Sequence, residues 1–194
     1  NLSLVMDDTD KVRSLYADAV EQGLEILPPD VNASAWRFEP VDTRRIRYGL
    51  GGIKGTGEQA IASVVAARTA DGPFRDLFEF CRRVDKRLAN RRVVEALVKA
   101  GAFDSIDPRR STLFASVGVA IEAAEHAEAS AHQVSLFGEG TKETLVPLVT
   151  AREWTDAERL ANEKTALGFY VSGHPFAAHA AELAPLVKTS LSAI

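Results

Sequence analysis

The stretch Leu50-Gly51-Gly52-Ile53-Lys54-Gly55-Thr56-Gly57 restricts this chain more than any other feature. Glycine at that density permits a tight turn with positive φ and lets another backbone approach closely. Beyond it Ile61, Val64, Val65 and Arg68 recur at helical spacing until Asp71-Gly72-Pro73 stops them, so the turn feeds the N-terminus of a helix. Successive amides leading into a helix start suit a phosphate oxygen, because those N–H groups lack intrahelical partners and the helix dipole is positive there. Lys54 adds a mobile charge, and Ile53 ties the turn to a core. The same pattern also serves as a plain connector from strand to helix with no ligand, and the turn alone leaves both readings open. A Walker loop is excluded because its lysine follows the last glycine, whereas Lys54 precedes Gly55 and Gly57. A dinucleotide fold is disfavoured because helices, not a parallel strand, come next.

The remaining periodicity predicts a mainly α fold. A first helix capped by Asp8 or Thr9 carries Val12, Leu15, Tyr16, Ala19 and Val20 on one face, and Gly23 closes it. Leu24 to Leu27 is a short apolar run, and alternation at Trp36 to Phe38 and Arg45 to Tyr48, with a turn at Pro40 to Thr43, predicts a small hairpin or two short strands. After the glycine turn come helices over about Asp76 to Val84 and Asn90 to Ala100, the latter with Gly101 at its C′ position. Asp107-Pro108 then opens a long helix through Leu113, Phe114, Val117, Ile121 and Ala124. Residues 138 to 150 have no clear period and read as linker. A last helix is expected from Thr155 to Val171, stopped at Gly173 and Pro175, with a shorter one near Ala177 to Leu186.

Charge is unevenly distributed. From Arg44 to Arg110 there are 15 Lys and Arg against 8 Asp and Glu, while the rest of the chain holds 8 against 19. A basic middle between acidic ends is the footprint of a protein in which one part meets phosphate. Arg82, Arg83, Lys86, Arg87, Arg91 and Arg92 form the densest basic cluster. The single cysteine, Cys81, cannot make an internal disulfide, and no apolar run approaches the roughly eighteen residues of a membrane span, so a reducing cytoplasmic setting without membrane attachment is expected. A start at Asn1 suggests a piece of a longer protein.

The stretch Leu50 to Ile61 resembles a helix-hairpin-helix motif, which presents backbone amides to one DNA strand without reading bases. Four motifs, Ile26-Leu27-Pro28-Pro29-Asp30-Val31-Asn32, Tyr48-Gly49-Leu50-Gly51-Gly52-Ile53-Lys54-Gly55, Leu97-Val98-Lys99-Ala100-Gly101-Ala102-Phe103-Asp104 and Leu167-Gly168-Phe169-Tyr170-Val171-Ser172-Gly173-His174-Pro175, resemble in order and spacing the bacterial DNA polymerase III α subunits, the C-family replicative polymerases. The resemblance implies a helix closing the fingers domain (1–24), a short-strand connector (25–48), a tandem helix-hairpin-helix DNA-binding domain (49–131), a linker with a clamp-binding peptide (132–150) and a helical tail leading toward an OB-fold (151–194). It also implies that duplex or primed DNA is gripped by Gly52, Ile53, Lys54, Gly55, Thr56 and Gly57 together with the six basic residues named above. The second turn, around Gly101, resembles a degenerate copy, for which a Schellman-type helix end packed by Phe103 and a direct phosphate contact both remain open.

Gln133-Val134-Ser135-Leu136-Phe137 reads as an exposed tract, where a large apolar pair gains little unless it docks on something. Leu136 and Phe137 folding back on the chain's own core is one answer. The other is that Gln133, Ser135, Leu136 and Phe137 resemble the Q-x-x-[LM]-F peptide by which bacterial polymerases bind the β sliding clamp. Other subunits of the polymerase III holoenzyme are implied as partners by the same resemblance.

No catalytic residue is expected here. Polymerase chemistry needs carboxylates holding two metal ions about 4 Å apart, and the family's palm domain, with its Mg2+, lies upstream. Asp7-Asp8-Thr9-Asp10 reads better as helix capping than as a metal site. His126, His132, His174 and His179 lack the spacing of a helical metal pair, so no metal or cofactor is expected. A helix-hairpin-helix DNA glycosylase, with Gly72, Pro73 and Asp76 as its loop and catalytic acid, and a protein-interaction scaffold without DNA binding are the competing readings.

Overall fold

The computed structural model describes residues 1–137 and 146–176, with side chains placed for 1–130 and 146–176. Helix α1 (Thr9–Glu21) starts where the Asp8 carboxylate accepts the Lys11 amide. It ends in a Schellman motif in which Gly23, at φ +79°, donates to the Val20 carbonyl and Leu24 to that of Ala19.

The connector forms a three-stranded sheet with β3 (Arg45–Arg47) in the middle, parallel to β1 (Glu25–Leu27) and antiparallel to β2 (Glu39–Pro40). The expected hairpin is present, with its first strand displaced from Trp36–Phe38 to Glu39–Pro40. Ahead of it Phe38 is buried with its ring 4.5 Å from that of Tyr48, and the Trp36 carbonyl accepts the Gly51 amide. Asp42 makes the turn by accepting the amides of Arg44 and Arg45. The connector is thereby part of the core. Val31 donates to the Ala102 carbonyl, and the Arg68 guanidinium satisfies the carbonyls of Val31 and Ser34.

Helices α2 (Glu58–Asp71), α3 (Leu77–Arg83), α4 (Arg91–Lys99) and α5 (Arg110–Phe137) follow. Asp76 caps α3 by accepting the Glu79 amide, and Asn90 caps α4 by accepting those of Arg92 and Val93. Apolar positions at helical spacing, Ile61 and Val64 on α2, Leu77 and Phe80 on α3, Val94, Leu97 and Val98 on α4, Leu113 and Val117 on α5, meet in one core. Phe80 stacks edge-on between Phe74 and Phe103, each ring pair 4.9 Å apart. Each of these fully buried side chains contributes about 1.5–3 kcal/mol.

Two boundaries differ from expectation. Helix α5 begins at Arg110, with Asp107 spent on the Arg109 amide, and its backbone stays helical through Phe137, past the expected start of the linker. Helix α6 (Asp156–Leu167) opens with a capping box between Thr155 and Glu158 but stops before Val171, because Gly168 takes the left-handed conformation at φ +89°. The short helix expected near Ala177 lies outside the described residues. The tail is not separate from the rest of the fold: α6 packs on α4, Leu167 and Phe169 are buried, and the Phe169 ring lies 5.2 Å from that of Tyr16 on α1. Among the described residues no helix is long and apolar enough to cross a membrane.

Candidate nucleic-acid interface

Accounting for backbone donors defines the glycine turn. Gly51 donates to Trp36, Gly52 to Gly49, Ile53 to Leu50, Lys54 to Ala166 and Thr56 to Ile53. The Thr56 hydroxyl lies 2.8 Å from the Leu50 carbonyl oxygen and 2.7 Å from that of Ile53, closing the loop on itself. Ile53 is 1% exposed and fastens the turn to the core. The amides of Gly55 and Gly57 have no acceptor among the described residues, and both glycines are exposed. Gly55 sits at φ +84°, which a side chain would strain, and open space lies beyond both glycines where a Cβ would point.

The next amides belong to the first turn of α2, whose N-cap, Gly57, has no side chain to satisfy them. The result is a set of N–H groups, those of Gly55, Gly57 and the first turn of α2 but not that of Thr56, without acceptors among the described residues at the positive end of a helix dipole. That is a cradle for an anionic oxygen. The predicted contributions of Gly52 and Ile53 take a different form. Their amides are used within the turn, and the Gly52 carbonyl receives the Tyr48 hydroxyl at 3.3 Å, so these two residues shape the cradle instead of lining it. Lys54 keeps an exposed side chain.

The second turn is built otherwise. Gly101 donates to Val98 and Ala102 to Leu97, the two bonds of a Schellman motif, and Asp104 donates back to Gly101. Phe103 is buried beneath it. A Cβ on Gly101 would run into the Arg110 guanidinium, which covers the turn. Arg110 is 9% exposed; it holds the Asp104 carboxylate at 2.8 and 2.5 Å and stands 3.5 Å from Glu163 of α6. Burial disfavours its charge, but the paired carboxylates outweigh that and raise its pKa. Of the two readings left open by the sequence, the geometry is that of the helix end. Sequence reading passed over Arg110, although a cation in the first turn of a helix opposes the dipole and so signals a carboxylate partner elsewhere.

The basic cluster divides as well. Arg83 is consumed internally: it bonds Glu79 at 3.1 Å and the carbonyls of Ala67 and Gly72 at 2.8 and 2.6 Å, with its guanidinium 4.6 Å from the centre of the Phe74 ring. Glu79, clamped first by Arg75 and then by Arg83, is held down to about pKa 2. Arg91 pairs with Glu95 at 2.7 Å along α4. Lys86 reaches Glu128 of α5 at 2.6 Å across an open groove of about 930 Å³ between α2 and α5, which Arg82 and Arg87 also line. Arg82, Arg87 and Arg92 are exposed; Arg87 and Arg92 have no side-chain partner among the described residues. Asp76, the acid of the glycosylase reading, is a helix cap whose carboxylate is engaged with the Glu79 amide at 2.7 Å. The backbone of Gln133 to Phe137 forms the end of α5; the side chains of Gln133, Ser135, Leu136 and Phe137 lie outside the described set.

A helix-hairpin-helix motif model matches residues 23–113. The chain is 45% identical over 192 residues to DNA polymerase III subunit alpha of Neisseria meningitidis serogroup B, covering 98% of this chain and 17% of that protein. It is 39% identical over 192 residues to the protein of the same name from Vibrio cholerae, and 41% identical over 175 residues to that of Escherichia coli K12, covering 96% and 88% of this chain and 17% and 15% of those proteins. The chain thus spans about a sixth of the length of the curated relatives it matches. With such identity over nearly all its residues, this chain belongs, as a segment bearing a helix-hairpin-helix motif, to the DNA polymerase III α subunit family.

Proposed function

We propose that this segment holds duplex DNA behind the active site of a replicative polymerase and tethers that polymerase to the β sliding clamp. The observation that carries the DNA half is the row of unspent amides from Gly55 and Gly57 into the uncapped start of α2. Backbone donors of this kind bind phosphate oxygens whatever the base, so the grip is independent of sequence. Lys54, Arg82, Arg87 and Arg92 supply exposed positive charge, with Lys86 available once it leaves Glu128. Gly101, sealed by Arg110, takes no direct part. Polymerisation itself belongs to the whole protein and its palm domain, with this segment contributing grip and attachment.

The deciding experiment is titration of two unrelated duplexes at several salt concentrations. Equal affinities that fall together as salt rises support the grip, with log K declining by about 0.9 per log unit of salt for each phosphate neutralised. Affinity that is indifferent to salt sinks it and favours a protein-interaction scaffold.

Clamp attachment rests on the Gln133-Val134-Ser135-Leu136-Phe137 peptide, in which Leu136 and Phe137 fill an apolar pocket and Gln133 orients them by hydrogen bonds. Alanine at both Leu136 and Phe137 is expected to abolish clamp binding in a titration. Retained affinity removes the assignment.

A further inference from the structure

One amide of the hairpin is held from an unexpected direction. Lys54 donates its backbone N–H to the carbonyl of Ala166, 2.8 Å away in the last turn of α6, more than a hundred residues later in the chain. Immediately beyond, Gly168 adopts φ +89°, and the place where its Cβ would stand is already taken: the Thr9 methyl of α1 would clash, and the Lys54 Nζ and Cε lie only 3.0 and 3.1 Å away. Three segments distant in sequence, the start of α1, the hairpin lysine and the end of α6, therefore meet at one glycine.

The end of α6 is itself firmly set. Glu163, 1% exposed, accepts the amides of Val171 and Ser172 and faces Arg110 at 3.5 Å, so the chain leaving α6 is pinned to the same guanidinium that seals the second turn. Phe169 is locked against Tyr16.

Resting on the DNA-gripping reading of the hairpin, we infer that the end of α6 is a positioning element of the DNA site. Ala166 and Gly168, backed by Glu163, hold the peptide entering Lys54 so that the free amides of Gly55 and Gly57 are presented together. The hydrogen bond to Ala166 removes a degree of freedom that a phosphate would otherwise have to freeze, and ordering done before binding is not charged to affinity. The Lys54 ammonium rests beside the negative end of the α6 dipole, which favours a cation there. The residues after the clamp peptide are thus as much a part of the DNA grip as the hairpin before it.

The test uses the whole chain, duplex DNA titrated at several salt concentrations, and amide hydrogen exchange at Lys54 and Ala102. Gly168→Ala is expected to weaken DNA binding about tenfold, as the hairpin amides lose their alignment on a phosphate, and to make the salt dependence shallower, as the Lys54 ammonium is displaced. Exchange at Lys54 accelerates while Ala102, in the second turn, keeps its protection. Removing the obstructing methyl in Gly168→Ala with Thr9→Ser restores part of the affinity. Should Gly168→Ala fail to fold, Glu163→Gln is read by duplex affinity and by exchange at Lys54 alone, because Glu163 also faces the Arg110 that covers the second turn. Unchanged affinity and salt slope in the folded variant overturn the inference alone, and so does equal loss of protection at Lys54 and Ala102, which would make Gly168 a general stabiliser. Failure of the wild-type chain to bind duplex overturns the grip itself and this inference with it.

Discussion

The two glycine turns of this protein begin alike and end differently. Both place a glycine at φ near +80° beside a helix terminus, Gly55 at +84° and Gly101 at +80°. In the first, the glycine precedes a helix, and the amides of Gly55 and Gly57 have no acceptor among the described residues and no side-chain cap follows them. In the second, the glycine follows a helix, its amide and the next are returned to the carbonyls of α4, and Arg110 closes the space outside. A glycine at positive φ therefore does not mark a ligand site by itself. What decides is whether the donors it exposes are consumed on the near side of the turn.

The largest effect is expected at Arg110. Arg110→Ala leaves Asp104 and the buried Glu163 without their cation and should cost about 3–5 kcal/mol in urea unfolding, since removing one member of a buried pair strands the other. A loss below about 1 kcal/mol would mean that the second turn is not sealed by charge. Next is Gly101→Ala, which meets both the guanidinium and the φ penalty and should cost about 2–3 kcal/mol, in the range of overpacking plus left-handed strain.

Glu79 tests whether Arg83 is structural. Glu79→Gln should cost about 1.5–3 kcal/mol at neutral pH through its bonds to Arg75 and Arg83. Because folding lowers the Glu79 pKa from the ordinary 4.5 to about 2, its contribution is complete above 4.5 and fades as pH falls toward 2. The stability gap between wild type and variant, followed by thermal unfolding, should narrow over that window. A gap that stays constant would detach Arg83 from this role.

Gly55→Ala should cost only about 1 kcal/mol of stability, because open space surrounds it and only the left-handed strain remains. Its effect belongs in DNA affinity, so a variant that binds duplex as wild type does would erase the contrast with Gly101. The smallest effect is expected at Arg92, exposed and unpaired among the described residues: Arg92→Ala should change stability by less than about 0.5 kcal/mol while reducing the salt slope by about 1.

By itself the sequence determined the local elements. Helical spacing, the cap at Asp8, the helix starts near Asp76, Asn90 and Thr155, and the closing glycines 23 and 101 follow from forces acting within a few residues, and each is found in the fold, whereas the cap expected at Asp107 is not, since α5 starts at Arg110. Gly55 and Gly57 were legible for the same reason. Tertiary structure decided which donors and charges remained available. Arg83 and Arg92 look equivalent in the sequence, but one lies against Phe74 with its terminal nitrogens bonded to Glu79 and to the carbonyls of Ala67 and Gly72, and the other faces solvent. The Lys54 amide is fixed by a carbonyl from α6, and Gly101 is closed by an arginine that Glu163 helps to hold. Such pairings depend on which distant segments the core brings together, and packing of that kind leaves no periodic trace in the chain.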